Sequence, residues 1–259
     1  MDLQLSGKKA LVTGASKGIG FGIAKRLVKE GCHVRLVSRH ESDLQAAQTE
    51  LSSLDTNVSV TYNALDLSVT SEVENLAKES VDIDILVNNA GAIPAGNIDR
   101  VDEETWRKAW DLKLFGYITL CRGVYSNMSQ RQEEPGQRVI LNIIGAGGER
   151  PSSGYIAGAG ANAGLMAITL AMGGVSRKHS IRVLGINPGQ IVTERLETMQ
   201  RVLAQEKFGD PERWKEMWDT RYPPGQVEHI ADASAFLVSD LSSNTTGTIV
   251  TIDGGHCAR

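Results

Sequence analysis

Cysteine is scarce in this chain. Cys32, Cys121 and Cys257 are odd in number, far apart and without a C-x-x-C spacing, which excludes a disulfide framework and suits reduced thiols in a cytoplasmic protein. A block of charge of one sign is also missing. Lys and Arg number 27 against 31 Asp and Glu, a net charge of −4, and that balance argues against nucleic acid or an anionic membrane as the main partner. The first residues, Met-Asp-Leu-Gln-Leu-Ser-Gly, lack the basic region and apolar core of a signal peptide. No continuous apolar run approaches the ~18 residues of a membrane span. His, Cys and carboxylates nowhere take metal-ligand spacing, so no metal is expected; His179 and His229, beside a turn and a helix start, read as surface residues rather than bases.

What the chain has in quantity is apolar residue, 41% of 259, enough to bury a substantial core. Short β-branched runs at 9–13, 33–38, 58–64, 85–88, 138–143, 182–187 and 248–252 alternate with stretches of helical period at 20–30, 41–54, 71–79, 103–129, 158–177 and 228–237. Strands buried on both faces and joined by helices predict an α/β fold, a single Rossmann-type, doubly wound parallel sheet with helices on both faces. No linker or repeat interrupts it, so residues 1–259 are expected to form one dinucleotide-binding domain. The exception to the regular beat is 194–224, far longer than the usual connection of ~2–6 residues, which is expected to cover a substrate.

Residues 13–20, Thr-Gly-Ala-Ser-Lys-Gly-Ile-Gly, follow the first strand and open the first helix. Gly14, Gly18 and Gly20 permit a tight turn and close approach of backbone to a pyrophosphate, with Ser16, Lys17 and Ile19 between them. At the end of the second strand, where an acidic residue would take the ribose 2′-hydroxyl of NAD, stand Ser38 and Arg39. Arg39 with Lys17 could clamp a 2′-phosphate, so NADP(H) is favoured; the alternative is a pair of solvated basic residues on a rim.

These motifs, with Asp66-Leu67, Asn88-Asn89-Ala90-Gly91, the P-G-x-I-x-T run at 188–193, Thr246-Gly247 and the D-G-G ending at 253–255, resemble the short-chain dehydrogenase/reductase family over nearly the whole chain. The resemblance implies a single Rossmann-type domain, a homo-oligomer (tetramer or dimer) and a small-molecule substrate. It places Asp66 and Leu67 by the adenine and Asn89, Ala90 and Gly91 along the ribose. It also implies that Pro188, Gly189, Ile191 and Thr193 form the nicotinamide segment, Ile191 and Thr193 holding the carboxamide.

The family typically works with an Asn, Ser, Tyr and Lys, the Lys pulling down the Tyr pKa, since a phenol near ~10 is a poor acid–base group at pH 7. Aligned with the family helix, this chain has Asn162 for the Lys, Gly158 for the Tyr, Gly145 for the Ser and Lys113 for the Asn. All four are replaced. Asn and Lys look exchanged between neighbouring helices, and Tyr155 precedes Asn162 by the Y-x-x-x-x-x-x-K spacing of the bacterial enoyl reductases. Tyr155, Lys113 and Asn162 are therefore the candidate catalytic residues. Against this stand a solvated or ion-paired Lys113, a Tyr155 that only packs, and Gly158, Gly160 and Gly164 serving close subunit packing. Met199, Leu203, Phe208, Trp214, Met217 and Trp218 in the long segment suit a lid over a bulky apolar substrate, or oligomer packing. The expected activity is NADP(H)-dependent reduction or oxidation of a carbonyl, alcohol or activated C=C bond. A silent NADP(H)-binding sensor or scaffold, and a non-redox lyase or isomerase, are the alternatives.

Overall fold

The computed structural model describes residues 2–131, 133, 136 and 138–258. Seven strands, β1 (Lys9–Thr13), β2 (His33–Ser38), β3 (Val60–Ala64), β4 (Ile85–Asn88), β5 (Arg138–Ile143), β6 (Ile181–Pro188) and β7 (Ile249–Ile252), make one sheet in the order β3-β2-β1-β4-β5-β6-β7. Every pair is parallel. Such a sheet needs a crossover after each strand. These are α1 (Gly18–Lys29), α2 (Glu41–Ser52), α3 (Thr70–Glu79), α4 (Glu103–Trp110) with α5 (Gly116–Ser129), α6 (Ile156–Ser176), and α7 (Glu194–Phe208) with α8 (Val227–Val238).

Strand residues alternate between two cores, as the period of two requires. Ala10, Val12, Ile85, Val87, Val139 and Leu141 pack under α1, α2 and α8 with Ile23, Leu27, Leu44 and Ile230. Their neighbours Leu11, Leu86 and Ile140 point the other way, onto Val73 and Leu76 of α3 and Leu120 and Val124 of α5. Each such fully buried aliphatic side chain contributes roughly 1.5–3 kcal/mol, and together they anchor the strand ends where the site is built.

Chain order reverses between β1 and β4, and a crevice opens at their carboxyl ends, as in other doubly wound sheets. Residues 103–129, predicted as one helix, are α4 and α5 joined by a π-helical turn, Asp111–Phe115. α4 starts where Asp102 accepts from the Thr105 amide at 2.7 Å. At the start of α5 the backbone runs so close to Leu67 that a Cβ on Gly116 would lie 2.8 Å from its carbonyl oxygen. A widened turn of this kind redirects the side chains it carries, and one of them is Lys113.

The apolar stretch Ile156–His179 is long enough to cross a membrane by length and composition. In the fold it is α6 with a short 3-10 turn, and Ala157, Ala161, Leu165 and Thr169 are buried. Residues 194–224 are two helical pieces, α7 and a 3-10 stretch Pro211–Met217, joined through Gly209 in the left-handed region (φ 70°). Trp214 and Trp218 meet edge to face at 5.2 Å inside this unit, so they form its own small core.

Candidate active site

The turn after β1 is held by side chains, chiefly Thr13 and Asn89. Thr13 Oγ1 accepts from the Asn89 and Ala90 amides at 2.9 and 3.1 Å, and Asn89 Nδ2 donates to the carbonyls of Thr13 and Gly14 at 3.0 and 3.2 Å. Gly14 has φ +63° and lies against Ala90, a conformation and a spacing that a side chain would spoil. The N-terminus of α1 has no side-chain cap and no acidic residue in its first turn. Unmet amides and the positive end of the helix dipole there favour an anion such as a pyrophosphate.

Ser16 and Ser38 meet at 3.1 Å beside this turn, and Lys17 pairs with Asp43 at 3.3 Å. Arg39 is exposed and lines a cleft of about 530 Å³ with Asp66, Gly91, Ile93, Lys108 and Arg195. Burial by itself would raise the Asp66 carboxyl, yet bonds from Ser68 and the charges of Arg39 and Lys108 hold it below the usual carboxylate range. Leu67 is buried in the core. On the far wall Pro188 ends β6, Gly189 donates to the Ile252 carbonyl at 2.9 Å, and Ile191 is buried beside Gly225. Thr193 Oγ1 caps α7 by accepting from Leu196 at 3.3 Å. The Thr193 methyl lies 3.5 Å from where a Cβ on Gly18 would stand, so this segment closes over the turn.

Lys113, Tyr155 and Asn162 all converge on one short stretch after β5. Lys113 Nζ donates to the carbonyls of Ile143 and Ile144 at 3.2 and 2.8 Å. Asn162 Nδ2 lies 2.8 Å from a Cβ position on Gly145, and the Tyr155 ring 3.4 Å from one on Gly147. A side chain on Gly158 would collide with the Tyr155 ring, whose hydroxyl is 2.6 Å from its Cβ position. Tyr155 is pinned at the start of α6 by a bridge to Gly96, with Gly96 donating to the Gly154 carbonyl at 2.7 Å. The three glycines at 145, 147 and 158 thus make room for Asn162 and Tyr155.

The electrostatics follow from burial. Lys113 is 9% exposed and, among the described residues, has no carboxylate partner, which sets aside both the solvated and the ion-paired reading. Burial, and after it the charge of Arg195, pull its amine from 10.5 to about 7. The Tyr117 ring faces it at 5.5 Å, and the Tyr117 hydroxyl donates to the same Ile143 carbonyl at 3.1 Å. Burial raises the Tyr155 phenol above its ordinary range, while Arg195 works in the opposite direction. Asn162 Oδ1 is buried without a partner among the described residues, an acceptor left for a donor that comes from outside the chain. That orphan, the uncapped helix and the cleft fit a bound dinucleotide.

A polar chain supports the site from below. Asn88 Nδ2 donates to Asn142 Oδ1 at 2.9 Å, Asn142 Nδ2 to Thr169 at 2.9 Å, and Thr169 to the Leu165 carbonyl at 2.7 Å. Asn187 takes the Gly145 amide at 3.2 Å and gives to Glu149 at 2.6 Å. His229 caps α8 by accepting from the Gln226 amide at 3.1 Å, and His179 rests edge-on against Tyr125 at 5.9 Å.

Residues 8–203 match the sequence pattern of the family described as short chain dehydrogenase. The chain belongs to the short-chain dehydrogenase/reductase family. It is similar to the 3-oxoacyl-[acyl-carrier-protein] reductase of Chlamydia trachomatis, 33% identical with 97% of this chain and 98% of that protein covered. It is also similar to L-xylulose reductase of Bos taurus, 32% identical over the full length of both. The structure superposes on L-sorbose reductase from Gluconobacter frateurii complexed with NADPH and L-sorbose, with TM-score 0.92, 28% identity and both chains fully covered.

Sequence reasoning missed two members of this dehydrogenase site. Arg195 donates to the carbonyls of Gly91 and Ile93 at 3.0 and 2.8 Å. A cation two residues past the P-G-x-I-x-T run was its only signal. Tyr117 had none, because the π-helical turn that brings it onto Lys113 is set by packing.

Proposed function

We propose that this protein is an NADP(H)-dependent reductase of carbonyl compounds in which Tyr155 is the proton donor and Lys113 its electrostatic partner. Relatives named as reductases of 3-oxoacyl and sugar substrates support carbonyl chemistry, and a similar structure holds NADPH. Arg39, exposed beside the ribose end, serves as the 2′-phosphate ligand. NADPH supplies the hydride. Tyr155 gives its hydroxyl proton to the substrate oxygen as charge develops there, and Lys113 in its ammonium form, fixed by two backbone carbonyls, stabilises the resulting phenolate, returns a proton to it and regains one from solvent. Asn162 orients the ribose through its free Oδ1. The observation that carries this reading is the Tyr155 ring, seated in the space a side chain on Gly158 would need. Met199, Val202 and Leu203 on α7 stay exposed and offer an apolar covering to a bulky substrate. Phe115, Leu170 and Val175, also exposed, support a homo-oligomer, read by sedimentation.

The test follows NADPH absorbance with a panel of 3-oxoacyl thioesters, ketoses, aromatic ketones and enones. Tyr155→Phe and Lys113→Ala are each expected to lower kcat by on the order of 10²-fold or more on the best acceptor. Turnover that survives both substitutions overturns the assignment. NADPH binding with no acceptor reduced establishes the silent-binder alternative.

A further inference from the structure

Arg195 stands in the first turn of α7, yet its side chain leaves that helix and grips another element. Its Nη1 donates to the Gly91 carbonyl at 3.0 Å and its Nη2 to that of Ile93 at 2.8 Å. Gly91 is also the residue against which Lys113 is packed. A Cβ there would meet Lys113 Cδ at 2.6 Å and lie 3.5 Å from its Nζ. Two cations therefore flank one glycine, one on a buried π-helical turn and one brought by the lid. Arg195 remains in place only while α7 lies against the loop after β4.

We propose that Arg195 is a positioning residue: latched across the loop after β4, it sets the charge that Lys113 works against and ties that charge to the seating of α7. The inference rests on the reading of Lys113 as partner to Tyr155. The groups that face Lys113 are few. Tyr117 comes from α5 and Arg195 from α7, Ile143 at the end of β5 and Ile144 just after it give their carbonyls, and Cys121 one turn further along α5 and Tyr155 at the start of α6 are the next titratable groups. Burial pushes the Tyr117 hydroxyl well above its ordinary range and the Cys121 thiol up to about 12, so both stay neutral near pH 7. Arg195 is left as the fixed charge on this side of the amine, and a like charge favours the neutral amine. Placed there, Arg195 makes the Lys113 ammonium a stronger acid, readier to return a proton to the phenolate that Tyr155 becomes once it has given its own proton to the substrate. The seating of α7 thereby tunes the amine for its part in the proton step.

Arg195→Gln and Arg195→Lys separate charge from latch, since Lys keeps the cation but lacks the fork that spans two carbonyls. In the kcat pH profile, Arg195→Gln is expected to move the Lys113-dependent midpoint to higher pH, by on the order of half a unit. Arg195→Lys is expected to restore that midpoint while both variants raise the KM for substrate, since neither keeps the two-carbonyl latch. An Arg195→Gln midpoint equal to that of the native protein, or an Arg195→Lys midpoint no different from that of Arg195→Gln, overturns the proposal. A second readout is independent of turnover. The difference in unfolding free energy between Lys113 and Lys113→Met proteins, measured against pH, must shift in the same direction in the Arg195→Gln background, and its absence also overturns the proposal. If Lys113→Ala leaves activity intact, the reading of the active site has failed instead, and the stability readout still judges Arg195.

Discussion

Replacing Lys113 by Met tests the electrostatics of the site without any substrate. In the folded chain the amine is held at about 7 against 10.5 when exposed. That difference corresponds to about 5 kcal/mol of destabilisation wherever both states would otherwise be protonated. The folded state binds fewer protons than the unfolded one between those values, so stability rises with pH through this window. Destabilisation is greatest below pH ~7 and vanishes above ~10.5. At pH 6 it amounts to about 5 kcal/mol and at pH 9 to about 2 kcal/mol. Met fills the same volume with no charge. It forgoes the two bonds to Ile143 and Ile144, at about 1 kcal/mol each, a loss that is the same at both pH values. The variant is therefore expected to gain on the native protein by about 3 kcal/mol more at pH 6 than at pH 9. At about 2–4 °C per kcal/mol, paired thermal melts resolve that difference. An equal gap between the two proteins at both pH values would refute a buried, weakly basic Lys113.

Gly158→Ala, which helix propensity alone would favour by about 1 kcal/mol, is expected to lower both Tm and kcat because the new methyl meets the Tyr155 ring; a more stable and equally active variant would count against that placement. Arg39→Ala should reduce the preference for NADPH over NADH by about 10- to 100-fold, the worth of a charge-assisted bond, and an unchanged ratio of kcat/KM values sinks the 2′-phosphate assignment. Arg182, 1% exposed, donates to the carbonyls of Leu237, Ser239 and Thr245 at 2.7, 2.9 and 3.3 Å and ties the end of α8 to β6. Removing it leaves the Leu237 carbonyl without that donor and the Ser239 carbonyl with only the Ser242 amide, so Arg182→Met is expected to cost about 2–3 kcal/mol in urea unfolding; a loss under about 1 kcal/mol would show that water or the loop replaces it.

Which parts of this protein can be read from sequence follows from how local their causes are. The strands at Lys9–Thr13, His33–Ser38, Ile85–Asn88 and Arg138–Ile143 coincide with their apolar, β-branched runs, because a strand buried on both faces declares itself residue by residue. The turn at 13–20 is equally local. The π-helical turn at Asp111–Phe115 is not, since its neighbour Gly116 is pressed against Leu67, far away in sequence. Sequence marks Lys113 as a candidate and leaves a solvated or ion-paired lysine open beside it; the turn that points it inward decides between them. The long segment reads as one lid, yet Trp214 and Trp218 pack on each other, a pairing that no periodicity announces.

In the proposed site, Gly145, Gly158, Asn162 and Lys113 act on one another. Tyr155 needs Gly158, because its ring lies where any other side chain would begin, and Asn162 needs Gly145, because its amide sits where a Ser Cβ would stand. Lys113, in turn, reaches the carbonyls of Ile143 and Ile144 just before the same stretch. A drift away from function would erase the phenol and the amine independently and leave cavities or apolar fillers behind. Instead each missing side chain is matched by a neighbour that uses the vacated volume, and the phenol, the amine and a hydrogen-bonding amide all persist around residues 143–147. A rearranged active site accounts for that pairing of losses with gains, whereas a scaffold that only binds nucleotide has no need of a buried lysine that destabilises its fold.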